Sequence, residues 1–195
     1  MNNTIQELDY NSADSKEEVY FSWWLDELFK AGYVDSWDYH SGLFKLSEKV
    51  QYQVDVKLKT KTRTDNLILL RAHTYTPDFV IVWNEKSKGI FYNNIGDMVD
   101  LKKFPFIAND DISYADVKPA AWGHGDSFTQ MFVVRQKWVY AKYKIYIQPI
   151  IVTGKKSALF ESTFCPQRFL LTDKSGKARK LKLDPVMVDE FLNGK

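Results

Sequence analysis

Cysteine is nearly absent. Cys165 stands alone in 195 residues, which excludes an internal disulfide and any multi-cysteine zinc site. Histidine is scarce as well. His40, His73 and His124 do not fall at metal-ligand spacings such as H-x-x-x-H. A metal here would have to draw on carboxylates, which favours Mg²⁺ or Mn²⁺ over Zn²⁺. No apolar run approaches the ~20 residues of a membrane span. The opening Met1-Asn2-Asn3-Thr4 lacks the basic-then-apolar order of an export signal. A cytoplasmic protein is expected. Charge of one sign is also lacking: 27 Lys and Arg against 25 Asp and Glu leave a formal net charge of +2. The whole molecule is therefore not a strong polyanion binder.

What is present is apolar. The chain is 45% hydrophobic and 15% aromatic, too rich for disorder and long enough for one domain with a real core. Ser15 with Glu18 three residues on reads as a capping box, opening a helix to about Lys30. Its stripe is Phe21, Trp24, Leu25, Leu28 and Phe29. Residues 50–59 alternate, with Tyr52, Val54, Val56 and Leu58 on one side, and predict a half-buried strand. Residues 60–65 predict a polar turn and 66–71 its partner strand. Phe79-Val80-Ile81-Val82-Trp83 predicts a buried strand, with a turn at 84–89 and a return at 90–92. An irregular insert covers 93–111. Residues 112–118 form the next strand, stopped by Pro119. A joint at Gly123-His124-Gly125 leads into a second helix, to about Lys142. A strand at 146–152 and a short helix at 185–192 follow. Helices alternating with strands predict an α/β fold with a mixed sheet in a single domain. The core spans about 15–152, followed by a basic extension at 153–195.

The chemistry concentrates around Pro77-Asp78 and Asp116-Val117-Lys118. Residues i and i+2 of a strand share a face, so Asp116 and Lys118 project together. Asp78 can join them from a neighbouring strand. Two carboxylates can hold a hard divalent cation, and a lysine beside it can orient water and steady negative charge. Such a set suits phosphodiester hydrolysis. Four Asp-x-Lys triplets occur: Asp14/Lys16, Asp55/Lys57, Asp100/Lys102 and Asp116/Lys118. Asp116/Lys118 is favoured because it ends an apolar strand and leads into an apolar helix. Asp100/Lys102, in the insert, is its competitor.

Glu18 on a leading helix, Pro77-Asp78 and Asp116-x-Lys118 together resemble the PD-(D/E)xK nuclease superfamily. The string His73-Thr74-Tyr75-Thr76-Pro77-Asp78-Phe79 is similar to the bacteriophage endonuclease I branch, which resolves Holliday junctions. Against that branch, the gap from Asp78 to Asp116 is longer and the second motif acid is Asp rather than Glu. The resemblance implies a restriction-endonuclease-like core and a phage-type, Mg²⁺-dependent DNA endonuclease in which Mn²⁺ can substitute. Branched DNA is among its expected substrates, and the host cytoplasm is its expected location. It implies Asp78 as central metal ligand and Asp116 as second ligand, helped by the Val117 carbonyl. Lys118 is implied against the attacking water and the scissile phosphate. Glu18 is implied as the helix carboxylate for a second ion, with Glu17 as competitor.

Basic residues cluster in two places that can track a DNA backbone: Lys57, Lys59, Lys61 and Arg63, and the C-terminal Lys177, Arg179 and Lys180. Arg135 and Lys137 on the second helix can approach phosphates near the site or be solvated, and the solvated reading is favoured. Junction-resolving enzymes act as symmetric pairs, and the strand at 50–59 is the candidate homodimer element. The competing expectation is a nucleic-acid-binding or assembly protein on a nuclease fold that has lost catalysis.

Overall fold

The computed structural model describes residues 8–96, 105–123, 127–154, 157–171 and 185–194. The elements, in chain order, are α1 (Lys16–Lys30), β1 (Val34–Tyr39), β2 (Phe44–Ser47), β3 (Val50–Lys57), β4 (Thr62–Leu70), β5 (His73–Tyr75), β6 (Phe79–Trp83), β7 (Tyr92–Asn94), β8 (Phe106–Ala108), β9 (Ile112–Lys118), α2 (Ser127–Tyr143), β10 (Ile147–Ile151), α3 (Leu159–Ser162), α4 (Gln167–Leu171) and α5 (Val188–Leu192). The fold is α/β with a mixed sheet at its centre. Its strand order is β1-β6-β9-β10, antiparallel except for the last pair.

Helix α1 starts where the capping box places it. The Ser15 hydroxyl accepts from the Glu18 amide, and the Glu18 side chain reaches back to the Ser15 amide. Ala31 caps its C-terminus, and Gly32 follows in the left-handed region at φ 72°. The stripe of α1 lies on the sheet face that carries Phe79, Ile81, Trp83, Ala115 and Val117. Trp24 is fully buried at the centre of this layer, 5.3 Å from the Phe164 ring and 5.6 Å from both Phe91 and Phe106. Its indole N–H donates to Thr163 at 3.1 Å, so the polar edge is satisfied inside the core.

Alternation sends the intervening residues of β6 and β9 to the opposite face. A second apolar cluster packs there: Phe44, Leu46, Tyr75, Phe132, Val139 and Ile147, with Tyr114 at its margin. Helix α2 presses Phe132 and Val139 into this cluster. Gln136 ties the helix to β10 by donating to the Ile147 carbonyl at 2.7 Å. Lys142 and Tyr143 both donate to the Lys45 carbonyl. The sheet is thus a floor between two layers, with α1 below and α2 with β2 and β5 above. No helix among the described residues is long and apolar enough to cross a membrane.

Three expectations need correction. The strand at 50–59 is not half-buried. β3 and β4 pair along their full length as a two-stranded ribbon from Val50↔Leu70 to Lys57↔Thr62, and most of its residues are exposed. No third layer among the described residues covers it, so alternation alone cannot bury a face. The turn is also shorter than 60–65: the Leu58 amide already donates to the Lys61 carbonyl. Finally, residues 90–92 do not return along β6. β7 pairs in parallel with β8 from the insert instead.

Candidate functional site

The site forms at one end of the central strands. In the β6–β9 register, Phe79 lies opposite Ala115. The next antiparallel step sets Asp78 opposite Asp116, and cross-strand neighbours place their Cβ atoms about 5 Å apart. On the other side of β6, Tyr39 lies opposite Phe79 and the His40 amide donates to the Asp78 carbonyl at 2.8 Å. Asp78 is therefore flanked by His40 on one strand and Asp116 on the other. Asp78 and Asp116 leave the face away from α1, while the His40 ring stacks on Tyr39 with centroids 3.9 Å apart.

Each carboxylate is held. Asp78 Oδ2 accepts the Val117 amide at 2.7 Å. A strand residue points its N–H and C=O toward the same neighbour, so the Val117 carbonyl also faces Asp78. Asp116 Oδ1 accepts from the Lys118 ammonium, and Asp116 Oδ2 accepts from the Tyr75 hydroxyl. Lys118 lies over the Phe132 ring, 4.5 Å from its centroid, which fixes the ammonium from the α2 side. His40 Nε2 lies 3.9 Å from Asp78 Oδ1 and 3.7 Å from Asp14 Oδ2. His40 adopts φ 49°, a left-handed backbone that a non-glycine residue holds only at a cost.

Two carboxylates across one strand pair, partly out of water, cannot both ionise freely. Burial, then the Asp116 charge, then the Glu18 charge push the Asp78 carboxyl up to about 8, although the Val117 amide and Lys118 pull against the rise. The Tyr75 hydroxyl is driven far above its ordinary value, by burial first and the Asp116 charge second. It stays a donor to Asp116.

Glu18 stands apart from this group. Its carboxylate is inside the capping box and is saturated there: Ser15 Oγ donates at 2.9 Å, the Asp14 amide at 3.0 Å and the Tyr39 hydroxyl at 2.6 Å. The reason is topological. Glu18 sits on the helix under the α1 face, whereas Asp78, Asp116 and Lys118 leave the opposite face. Its charge reaches Asp78 but its oxygens are committed elsewhere. Glu17, the competitor, is partly exposed and lies 3.6 Å from Lys16. Among the described residues, no three His, Cys, Asp or Glu side chains converge closely enough to hold a metal ion between them. The observed donor set is two carboxylates and a backbone carbonyl. That set fits Mg²⁺, which keeps several waters and needs only one or two carboxylates.

Lys57, Lys59, Lys61 and Arg63 all lie exposed toward the tip of the ribbon, where Arg63 pairs with Asp65 at 2.7 Å. Lys177, Arg179 and Lys180 lie outside the described residues, as do Asp100 and Lys102 of the competing triplet, and His124. Tyr75, His40 and Arg135 join the site or its border without having been assigned roles in it. Tyr75 lies in the motif string itself, but its partner Asp116 is 41 residues away. His40 directly follows β1, a strand that carries no motif.

No family model, curated protein or solved structure matches this chain. The functional reading rests on the site and on the motif resemblance.

Proposed function

We propose that the protein is a metal-dependent DNA endonuclease of the PD-(D/E)xK type, with a restriction-endonuclease-like core and branched DNA among its substrates. The observation that carries this reading is the pair Asp78 and Asp116, opposed across β6 and β9, with Lys118 on Asp116. Asp78, Asp116 and the Val117 carbonyl would hold Mg²⁺, or Mn²⁺ in its place. When bound, the cation supplies Lewis acidity toward the phosphoryl oxygen and lowers the pKa of a water. Lys118 would orient the attacking water and offset charge building on the phosphate. Tyr75 holds Asp116 in one rotamer, so the ligand does not have to be organised during the reaction. Glu18 shapes the field at Asp78 from beneath the sheet rather than ligating the same ion.

The ribbon supplies a backbone-tracking arm. Two strands of this length extend roughly 25–30 Å, with Lys57, Lys59, Lys61 and Arg63 near the far end. Its root emerges between β2 and β5, next to the motif string. Leu69 and Leu70 are 61% and 60% exposed, and with Tyr52, Leu67 and Ile68 they make both faces of the ribbon apolar at its near end. A symmetric homodimer would cover this apolar end and place two cutting centres on opposite strands of a junction.

Cleavage of supercoiled plasmid and synthetic four-way junctions in Mg²⁺ tests the reading. The wild type is expected to cut, Asp116→Ala to lose cutting, and Asp100→Ala to cut like the wild type. Equal cutting by wild type and Asp116→Ala ends the site assignment. Junction binding without cutting by the wild type would favour a catalytically inactive binding or assembly protein on the same fold.

A further inference from the structure

Among the described residues, Arg135 forms no ion pair. Its Nε is buried and has no hydrogen-bond partner. A guanidinium keeps its charge in proteins, and a buried, unmatched donor on it is costly. The rest of the helix face is accounted for. Phe132, one turn earlier, lies against Lys118. Gln136 is bonded to Ile147, and Val139, one turn later, is fully buried. Arg135 shares this inward face by its i+3 and i+4 spacing from those neighbours. It stands about 5 Å along the axis from the residue that contacts Lys118. Phe132, Val139 and Tyr75 belong to one buried cluster, so the helix face that carries Arg135 borders the tyrosine that grips Asp116. Its charge is felt at the Tyr75 hydroxyl, where it opposes the effects of burial and of Asp116.

The nearby carboxylates are already engaged. Asp116 is shared by Lys118 and Tyr75, and Asp78 takes the Val117 amide. We propose that Arg135 is a phosphate-contacting residue of the cutting centre, its planar fork receiving a phosphate of the bound strand beside Lys118. A guanidinium suits this role because it pairs with phosphate through two parallel hydrogen bonds. Lys118 meets the water and the reacting phosphate, while Arg135 fixes the strand's register against them. This inference rests on the nuclease reading above.

The test compares wild type, Arg135→Gln and Arg135→Lys by junction cleavage in Mg²⁺, by junction binding in Ca²⁺ across a salt series, and by thermal melts. Arg135→Gln is expected to cut about 100-fold more slowly. The slope of log affinity against log salt should shrink by about one phosphate contact. Its Mg²⁺-dependent melting shift should match that of the wild type. Arg135→Lys should recover the salt slope but not the rate, because a point charge replaces the fork. A wild type that cuts while Arg135→Gln cuts equally fast with an unchanged salt slope overturns the inference and leaves the nuclease reading intact. A wild type that cuts nothing overturns both. Should Arg135→Gln fail to fold, Arg135→Lys decides alone, and a wild-type rate in it overturns the inference.

Discussion

At the scale of single residues, the account turns on Asp78. Its carboxyl sits at about 8 in the fold against an ordinary 3.8, raised by burial and then by Asp116. A folded value above the unfolded one favours the protonated form. The stability it contributes is fully present below about pH 4 and is lost as pH rises toward 8. Metal-free protein should therefore lose stability across that window. Asp78→Asn, which cannot ionise, should melt higher than wild type at pH 8 in EDTA, by a few degrees, while cutting nothing. A wild type that melts at or above Asp78→Asn under those conditions contradicts the assignment. Tyr75→Phe removes one donor from Asp116 and should cost about 1.5–3 kcal/mol in a denaturant titration, as hydrogen bonds to charged groups do. That Asp116 and Lys118 point together was legible from their spacing alone. That Asp78 joins them from a neighbouring strand was expected from the motif, but its pairing opposite Asp116 was not legible, because it depends on the register of β6 against β9. His40 was illegible for the same reason: it follows β1, a strand that carries no motif of its own.

At the scale of elements, local signals were read well where one element makes its own case. The capping box fixes the start of α1, and Ser15→Ala should destabilise the protein by about 1 kcal/mol in the same titration. That substitution also frees Glu18 Oε1, so it reports on the helix carboxylate without removing it. The apolar runs of β6 and β9 and the long helix α2 were equally legible. The strands β1, β2 and β5 were not, because they are short and their partners lie far along the chain. The ribbon was misread for a different reason. Its alternation is real, but burial is a property of what lies on top, and nothing among the described residues covers β3 and β4. Replacing Leu69 and Leu70 with Asp should leave the monomer fold unchanged by circular dichroism. It should convert a dimer to a monomer in sedimentation. A mass unaffected by the double substitution removes the ribbon from the dimer.

For the molecule as a whole, the sheet is a rigid partition. The aromatic layer around Trp24 and α1 supplies stability on one face, and the reactive carboxylates occupy the other. Glu18, expected at a second ion, has its oxygens bonded to Ser15, the Asp14 amide and Tyr39 at the start of α1. Two carboxylates, rather than three, therefore confront each other. Protonation of Asp78 relieves their repulsion in the metal-free protein, and under the proposed function a cation would take the proton's place. Calorimetric titration of Mg²⁺ into wild type and Asp78→Asn at pH 8 tests that claim most directly. The account predicts saturable binding with proton release in the wild type and its loss in Asp78→Asn. Absence of binding to the wild type, or equal binding to both proteins, would contradict it.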